Sequence, residues 1–304
     1  MKNISLIGSV LVLVLLGVGA YFVLQSTLPA PVSPGAETAT STPQTATTTP
    51  VATESEATGA HTIGTSVKGL PIMAYHYGTG ATRLLFVAGL HGGYEWNTVL
   101  VAYDLIDYLD AHPEAIAPNE SVTVIPVVNP DGLTAVVGTE GRFSPSAVPT
   151  PASKTVVGRF NANQVDLNRN FDCDWHATGI WQNKSVNGGS AAFSEPESQA
   201  IRKYVETYPP TAVVVWYSAA GGVYASSCHD GVLPETNTLT QVFADASGYK
   251  AYQSFDFYAT TGDMVNWLAK SRLPAISVLL TNHTDTEWSK NQAGVLAVLK
   301  HYAQ

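Results

Sequence analysis

Two short stretches carry side chains able to do chemistry. In Gly89-Leu90-His91-Gly92-Gly93-Tyr94-Glu95-Trp96 a histidine and a glutamate stand four residues apart in a glycine turn. An imidazole and a carboxylate so placed form a candidate metal ligand pair, although a loop histidine beside a capping acid has the same signature. In Val165-Asp166-Leu167-Asn168-Arg169-Asn170-Phe171 charged and amide groups crowd between apolar anchors. Arg169 offers a planar fork suited to a carboxylate, and Asn168 adds further donors. The pair therefore reads either as an anion clamp or as an arginine bridged to a structural acid.

Both stretches need elements to hold them. Leu84 to Ala88 has the composition of a buried strand and Asn97 to Leu109 has helical spacing, so His91 and Glu95 fall in a strand-to-helix loop. Such loops at the carboxyl ends of strands are where open α/β sheets put their ligands. Leu70 to Tyr77 and Arg83 to Ala88 read as successive strands around Gly78-Thr79-Gly80, and Ser121 to Val128 as a strand ending in the turn-like Asn129-Pro130-Asp131-Gly132. Glu197 to Tyr208 is helical in pattern, Thr211 to Trp216 and Pro274 to Leu280 are apolar strands, and Asn291 to Tyr302 is an amphipathic helix. Alternating strands and helices predict an α/β fold, a parallel or mixed sheet with helices on both faces. The long stretches Thr134 to Asn163 and Phe171 to Ser194 show little periodicity, which marks functional or mobile loops.

The chain has 304 residues, 45% of them apolar, and a net charge of -9, which suits one sizeable domain with appendages and argues against a nucleic-acid partner. Ile4 to Gln25 is apolar enough to cross a bilayer, so residues 1–25 are expected to be a membrane anchor or an uncleaved signal. Lys2 before it favours the amino terminus inside and the remainder outside the cytoplasm; cleavage would give a secreted protein. Residues 26–62 are mostly Thr, Ala, Ser and Pro and are expected to be a disordered stalk, with the folded domain at 63–304. Cys173 and Cys228 are the only cysteines, and an external location permits them to pair; two buried thiols are the alternative.

His91 with Glu95, Asn129-Pro130-Asp131-Gly132, Arg159, Asp166-Leu167-Asn168-Arg169-Asn170-Phe171 and Tyr258 occur in the order found in carboxypeptidase A-like zinc metallopeptidases. The resemblance runs from about Ile63 to Gln304, and Asp-Leu-Asn-Arg-Asn-Phe is its most specific piece. It implies a single metallocarboxypeptidase-like domain, a mixed and mainly eight-stranded sheet flanked by helices, one zinc ion and a peptide or cell-wall peptide substrate. A monomer is expected. Carried over by position, the resemblance makes His91 and Glu95 the first two zinc ligands. Arg159 becomes the arginine that polarises the scissile carbonyl, with Arg142 the lesser candidate. Asn168 and Arg169 become the clamp for the terminal carboxylate, and Tyr258 the tyrosine that closes over substrate, with Gly262 and Trp267 in register. Val265 would form the floor of the specificity pocket, suggesting an apolar or aromatic terminal residue, with Asp263 close by.

The sequence departs from that pattern in three places. His91 and Glu95 are four apart rather than three, an insertion that Gly92-Gly93 is expected to absorb. The third ligand, a histidine before Ser218, is replaced by Tyr217, whose phenol has an ordinary pKa of about 10. The glutamate that activates water is replaced by Leu279, which cannot accept a proton; His283, Asp285 and Glu287 follow it. Two readings result: a zinc carboxypeptidase with a rearranged ligand and base, or a relative that binds peptide carboxy termini without cleaving them.

Overall fold

The interior strands are apolar on both sides because both faces of their sheet are covered. The computed structural model describes residues 56–303. The expected anchor and most of the expected stalk lie outside that range. The strands are β1 (Gly59–Thr65), β2 (Pro71–Gly78), β3 (Thr82–Val87), β4 (Glu120–Ile125), β5 (Thr178–Trp181), β6 (Lys184–Asn187), β7 (Ala212–Ser218), β8 (Gly222–Ala225), β9 (Ala251–Tyr252) and β10 (Ala275–Leu280). Eight of them form one mixed sheet in the order β1-β2-β4-β3-β7-β10-β8-β9, while β5 and β6 make a separate hairpin. The neighbours β4, β3, β7 and β10 run parallel, and β1, β2 and β8 pair antiparallel at the flanks.

Among the described residues six α-helices accompany the sheet: α1 (Trp96–Ala111), α2 (Pro130–Val137), α3 (Pro196–Thr207), α4 (Pro234–Ser247), α5 (Met264–Lys270) and α6 (Trp288–Tyr302). Side chains alternate across a strand, so β7 sends Val214 and Trp216 into the layer shared with α1, α4 and α6. It sends Val213, Val215 and Tyr217 into the layer shared with α3 and α5. Ile276, Val278 and Leu280 of β10 lie in the first layer and Leu279 in the second. Because β3, β7 and β10 are parallel, their carboxyl ends bring His91, Tyr217 and Leu279 to one end of the sheet.

Three expectations change. The folded domain includes residues before 63, since Glu56 is buried and β1 starts at Gly59. Asn129-Pro130-Asp131-Gly132 is not a free turn. Asn129 caps α2 by accepting from the backbone N–H of Gly132, and proline occupies the first turn, where its missing N–H costs nothing. Finally, part of the aperiodic stretch 171–194 is the β5–β6 hairpin. Among the described residues no helix is long and apolar enough to cross a membrane.

Candidate functional site

The turn after β3 is a single 3-10 helix over Gly92–Glu95, which places His91 and Glu95 face to face. Its glycines are set by crowding rather than flexibility. Gly92 has a φ of +45°, and a Cβ there would come within 2.7 Å of the Gly158 carbonyl oxygen; one on Gly93 would meet the Cβ of Val136. The segment is thus a tight turn wedged against α2. His91 Nδ1 lies 2.9 Å from Glu95 Oε1 and His91 Nε2 lies 3.3 Å from Asp166 Oδ1. Both ring nitrogens are buried, and neither makes a hydrogen bond of good geometry. Burial and Arg159 push the imidazole pKa down, but the flanking carboxylates outweigh them and raise it.

Arg159 closes the opposite side. Its Nε and Nη2 sit 2.9 and 2.8 Å from Asp166 Oδ2, and its guanidinium lies 4.4 Å from the centre of the Trp181 ring. Burial opposes ionisation of Asp166, yet Arg159 and His91 hold the carboxyl well below its usual range. Arg142 is elsewhere: it forms an exposed pair with Asp107 at 2.6 Å and covers the Tyr103 ring.

The clamp residues follow directly. Asp166 caps the 3-10 turn Leu167–Arg169 by accepting from the Asn168 N–H. Asn168 Nδ2 donates to Asp263 Oδ2 at 2.8 Å, while Asn168 Oδ1 accepts from the Met264 N–H. Arg169 is buried and gives three of its five N–H groups to the carbonyls of Asn168 and Ile180, so part of the fork is structural and the remainder is free for an anion. Gly262 closes the loop that follows Tyr258: its carbonyl accepts from the Phe171 N–H and its own N–H donates to the Cys173 carbonyl. Cys173 is joined to Cys228 by a disulfide that closes a 55-residue separation.

A cavity of about 180 Å³ opens among these groups, and His91, Glu95, Arg159, Asn168, Arg169 and Tyr258 all contribute to its wall. Val265 also lines it, yet Asp263, Asn266 and Ser277 lie beside it, so the wall is polar as well as apolar.

Tyr217 and Leu279 border the same cavity. The Tyr217 hydroxyl donates to Asn168 Oδ1 at 3.2 Å. Burial first, and then the Asp263 and Glu95 carboxylates, push its pKa well above 10. A phenol that keeps its proton and spends it on Asn168 is a poor metal ligand. The donor set therefore fits two zinc ligands, His91 and Glu95, and falls short of the three that catalytic zinc uses.

The acids after Leu279 are engaged outside the cavity. Glu287 is occupied by Thr281, Tyr249 and Lys290, and Asp285 accepts from the Glu287 N–H. His283 does reach the site, with Nδ1 2.9 Å from Ser218 Oγ and its ring 4.8 Å from that of Tyr94. The pair is not a nucleophile with its base. Asn97, which the sequence reading missed, donates from Nδ2 to the carbonyls of Asn282 and Asp285, so its Oδ1 must face Ser218 and take the hydroxyl proton. Ser218 Oγ is left to accept from His283 Nδ1–H. Only the topology, which brings β7 beside the start of α1, reveals this relay.

The sequence profile described as zinc carboxypeptidase matches residues 47–290. The chain belongs to the zinc carboxypeptidase family. It is 26% identical over 249 residues to gamma-D-glutamyl-L-diamino acid endopeptidase 1 of Lysinibacillus sphaericus, covering 73% of this chain and 60% of that protein. It is 28% identical over 198 residues to mouse carboxypeptidase M, covering 61% of this chain and 39% of the relative. The chain thus spans less than two thirds of either relative. Among solved structures, murein-tripeptide amidase MpaA from Escherichia coli O157 superposes with a TM-score of 0.55 at 22% identity, over 79% of this chain and 91% of that one. Carboxypeptidase A of Helicoverpa armigera gives 0.61 at 20% identity, over 80% and 68%. Both likenesses establish the mixed-sheet fold.

Proposed function

We propose that this domain binds the carboxy-terminal ends of peptides, cell-wall peptides among them, without cleaving them. One observation carries the reading: Tyr217, in the position of the third zinc ligand, gives its hydroxyl proton to Asn168 inside the clamp. Leu279 beside it has no group to activate water. Meanwhile Asn168, Arg169, Arg159 and Tyr258 still converge on one cavity. Recognition groups are kept, while Tyr217 and Leu279 stand where the resemblance sets the third ligand and the water-activating acid. The murein and diamino-acid relatives support cell-wall peptides as the ligand class. The apolar run at Ile4 to Gln25 and the Cys173–Cys228 bridge support a domain outside the cytoplasm, tethered by its amino terminus.

A second reading, a working peptidase, is favoured by the retained His91–Glu95 pair, whose buried nitrogens lack hydrogen-bond partners. Calorimetry with an N-acylated dipeptide, combined with zinc analysis and an assay for released amino acid, separates the two. The binding reading expects saturable binding, substoichiometric zinc and no release. Chelator-sensitive release of the terminal residue overturns it.

A further inference from the structure

Among the described residues, three large apolar side chains stand well out in solvent: Val157 at 51%, Ile180 at 38% and Phe257 at 64% exposure. All three border the mouth of one cavity. Val157 stands two residues before Arg159, whose guanidinium lies 4.4 Å from the centre of the Trp181 ring. Ile180 precedes that tryptophan, and its carbonyl accepts from Arg169 Nε at 3.1 Å and Nη2 at 2.7 Å. The Arg169 guanidinium is 5.8 Å from the Tyr258 ring. Phe257 precedes Tyr258, and its own ring is 5.1 Å from that of Phe255, a cavity residue. These contacts join the three segments into one rim.

Each segment also carries an exposed lysine. Lys154 precedes Val157 in the 3-10 turn Ala152–Arg159, Lys184 lies in the β5–β6 hairpin that holds Ile180, and Lys250 leads into the stretch that ends at Phe257. Among the described residues the lysines in ion pairs are Lys270 and Lys290, so these three are unpaired. Lys184 Nζ lies 5.7 Å from the centre of the Trp181 ring and Lys250 Nζ 4.9 Å from that of Tyr252. Their stems follow aromatic surface and leave the ammonium groups in water. Over residues 152–159, 178–187 and 250–258 the exposed charges are these lysines and Asp256, in a chain of net charge -9. Separate apolar tips offer little continuous area to a shape-matched protein partner. They suit a fluid interface, where binding grows with apolar area and with attraction to anionic lipid.

We infer that this rim docks on an anionic membrane surface. Val157, Ile180 and Phe257 enter the headgroup region, and Lys154, Lys184 and Lys250 meet lipid phosphates. The apolar run at Ile4 to Gln25 supports the same partner, because residues 26–55 give this face enough chain to reach the bilayer that holds the run. The cavity mouth then opens at the lipid surface, towards carboxy termini held there. That consequence rests on the binding reading above, whereas the docking itself rests on the rim.

The test reconstitutes the full chain in vesicles of phosphatidylcholine, alone or with about one third phosphatidylglycerol to supply the anionic surface. A nitroxide is attached in turn through Ile180→Cys, Phe257→Cys and, as control, Lys203→Cys on the exposed side of α3. Its collisions with oxygen and with a water-soluble nickel complex report immersion. On anionic vesicles the labels at 180 and 257 should favour oxygen, and the label at 203 nickel. Replacing Lys154, Lys184 and Lys250 together by glutamine should lower the ratio of docked to free domain on the order of 100-fold, at about 1 kcal/mol for each lysine near such a surface. Phe257→Asp should return the label at 180 to water, and thermal melts check that each variant is folded. Labels at 180 and 257 as open to nickel as the label at 203 on both vesicle types overturn the docking. Immersion that is equal on neutral lipid and survives the lysine replacement overturns the anionic assignment. Retention of the chain after a high-salt wash reports the tether separately: a chain that washes off refutes the tether, while the label readings taken before the wash still decide the docking.

Discussion

Tyr217 and Leu279 are direct partners across the parallel pairing of β7 and β10. Both point into the same layer, and adjacent strands lie about 4.8 Å apart. Tyr217 and Leu279, 62 residues apart in sequence, are therefore one patch of the cavity wall. A single reversal leaves a mismatch. Leu279→Glu would bury a carboxylate beside a neutral phenol, and Tyr217→His would place an imidazole against an isobutyl group.

Restoring both residues should restore chemistry. The Tyr217→His/Leu279→Glu protein is expected to hold one zinc per chain and to release a terminal amino acid at least about 100-fold faster than either single variant, the lower range for a positioned general base. Zinc analysis and amino-acid release on a blocked dipeptide measure this. A double variant no better than the singles would mean that more than these two positions has changed.

Arg159 is the electrostatic keystone of the site. Asp166 is fully buried and relies on Arg159 through two contacts of 2.9 and 2.8 Å. Removing one partner of a buried pair strands the other charge, so Arg159→Met should lower stability by about 3–5 kcal/mol. Arg159→Lys should recover only part of the loss, because an ammonium cannot reproduce the fork. Urea unfolding of the three proteins gives the comparison. A loss below about 1 kcal/mol, the level of an exposed pair, would show that solvent reaches Asp166.

How much of this was legible beforehand follows from what each residue depends on. Strands β3, β7 and β10 announce themselves because they are buried on both faces and read as apolar runs. His91, Asn168 and Arg169 sit on tight local turns, so their role is carried by neighbouring residues. What sequence alone did not yield depends on long-range pairing. Asn97 meets Ser218 only because α1 begins beside the end of β7, and the β5–β6 hairpin that supplies Trp181 to Arg159 has too little periodicity to be seen. The register that makes Tyr217 and Leu279 neighbours is likewise a property of the sheet, not of either strand.

The Cys173–Cys228 bridge ties the segment after the clamp to the loop after β8, which carries the cavity residue Ser227. A link spanning 55 residues restricts the unfolded chain, and bridges of this kind contribute about 2–4 kcal/mol. The Cys173→Ser/Cys228→Ser protein should melt several degrees lower than the natural chain, and reductant should lower the melting point of the natural chain alone. An unchanged melting point would place the stability of this region in its packing.

Glu287 gives the chain an acid-sensitive anchor at the start of α6. Its carboxylate accepts from the Thr281 N–H at 2.6 Å, the Tyr249 hydroxyl at 2.8 Å and Lys290 Nζ at 2.7 Å. Burial works against ionisation, but Lys290, Thr281 and Tyr249 outweigh it and hold the pKa down to about 2. An unfolded glutamate titrates near 4.3. The folded value is the lower one, so the native state favours the ionised form. The resulting stability is complete above about pH 5 and is lost as pH falls from about 4 through 2. Its size should be on the order of 1–2 kcal/mol, allowing for solvent screening around the half-exposed Lys290. Urea midpoints of the natural chain and Glu287→Gln should differ by a constant amount from pH 7 to pH 5 and converge towards pH 2.5. A gap unchanged at pH 3 would assign the contribution to hydrogen bonding that glutamine also provides, rather than to charge.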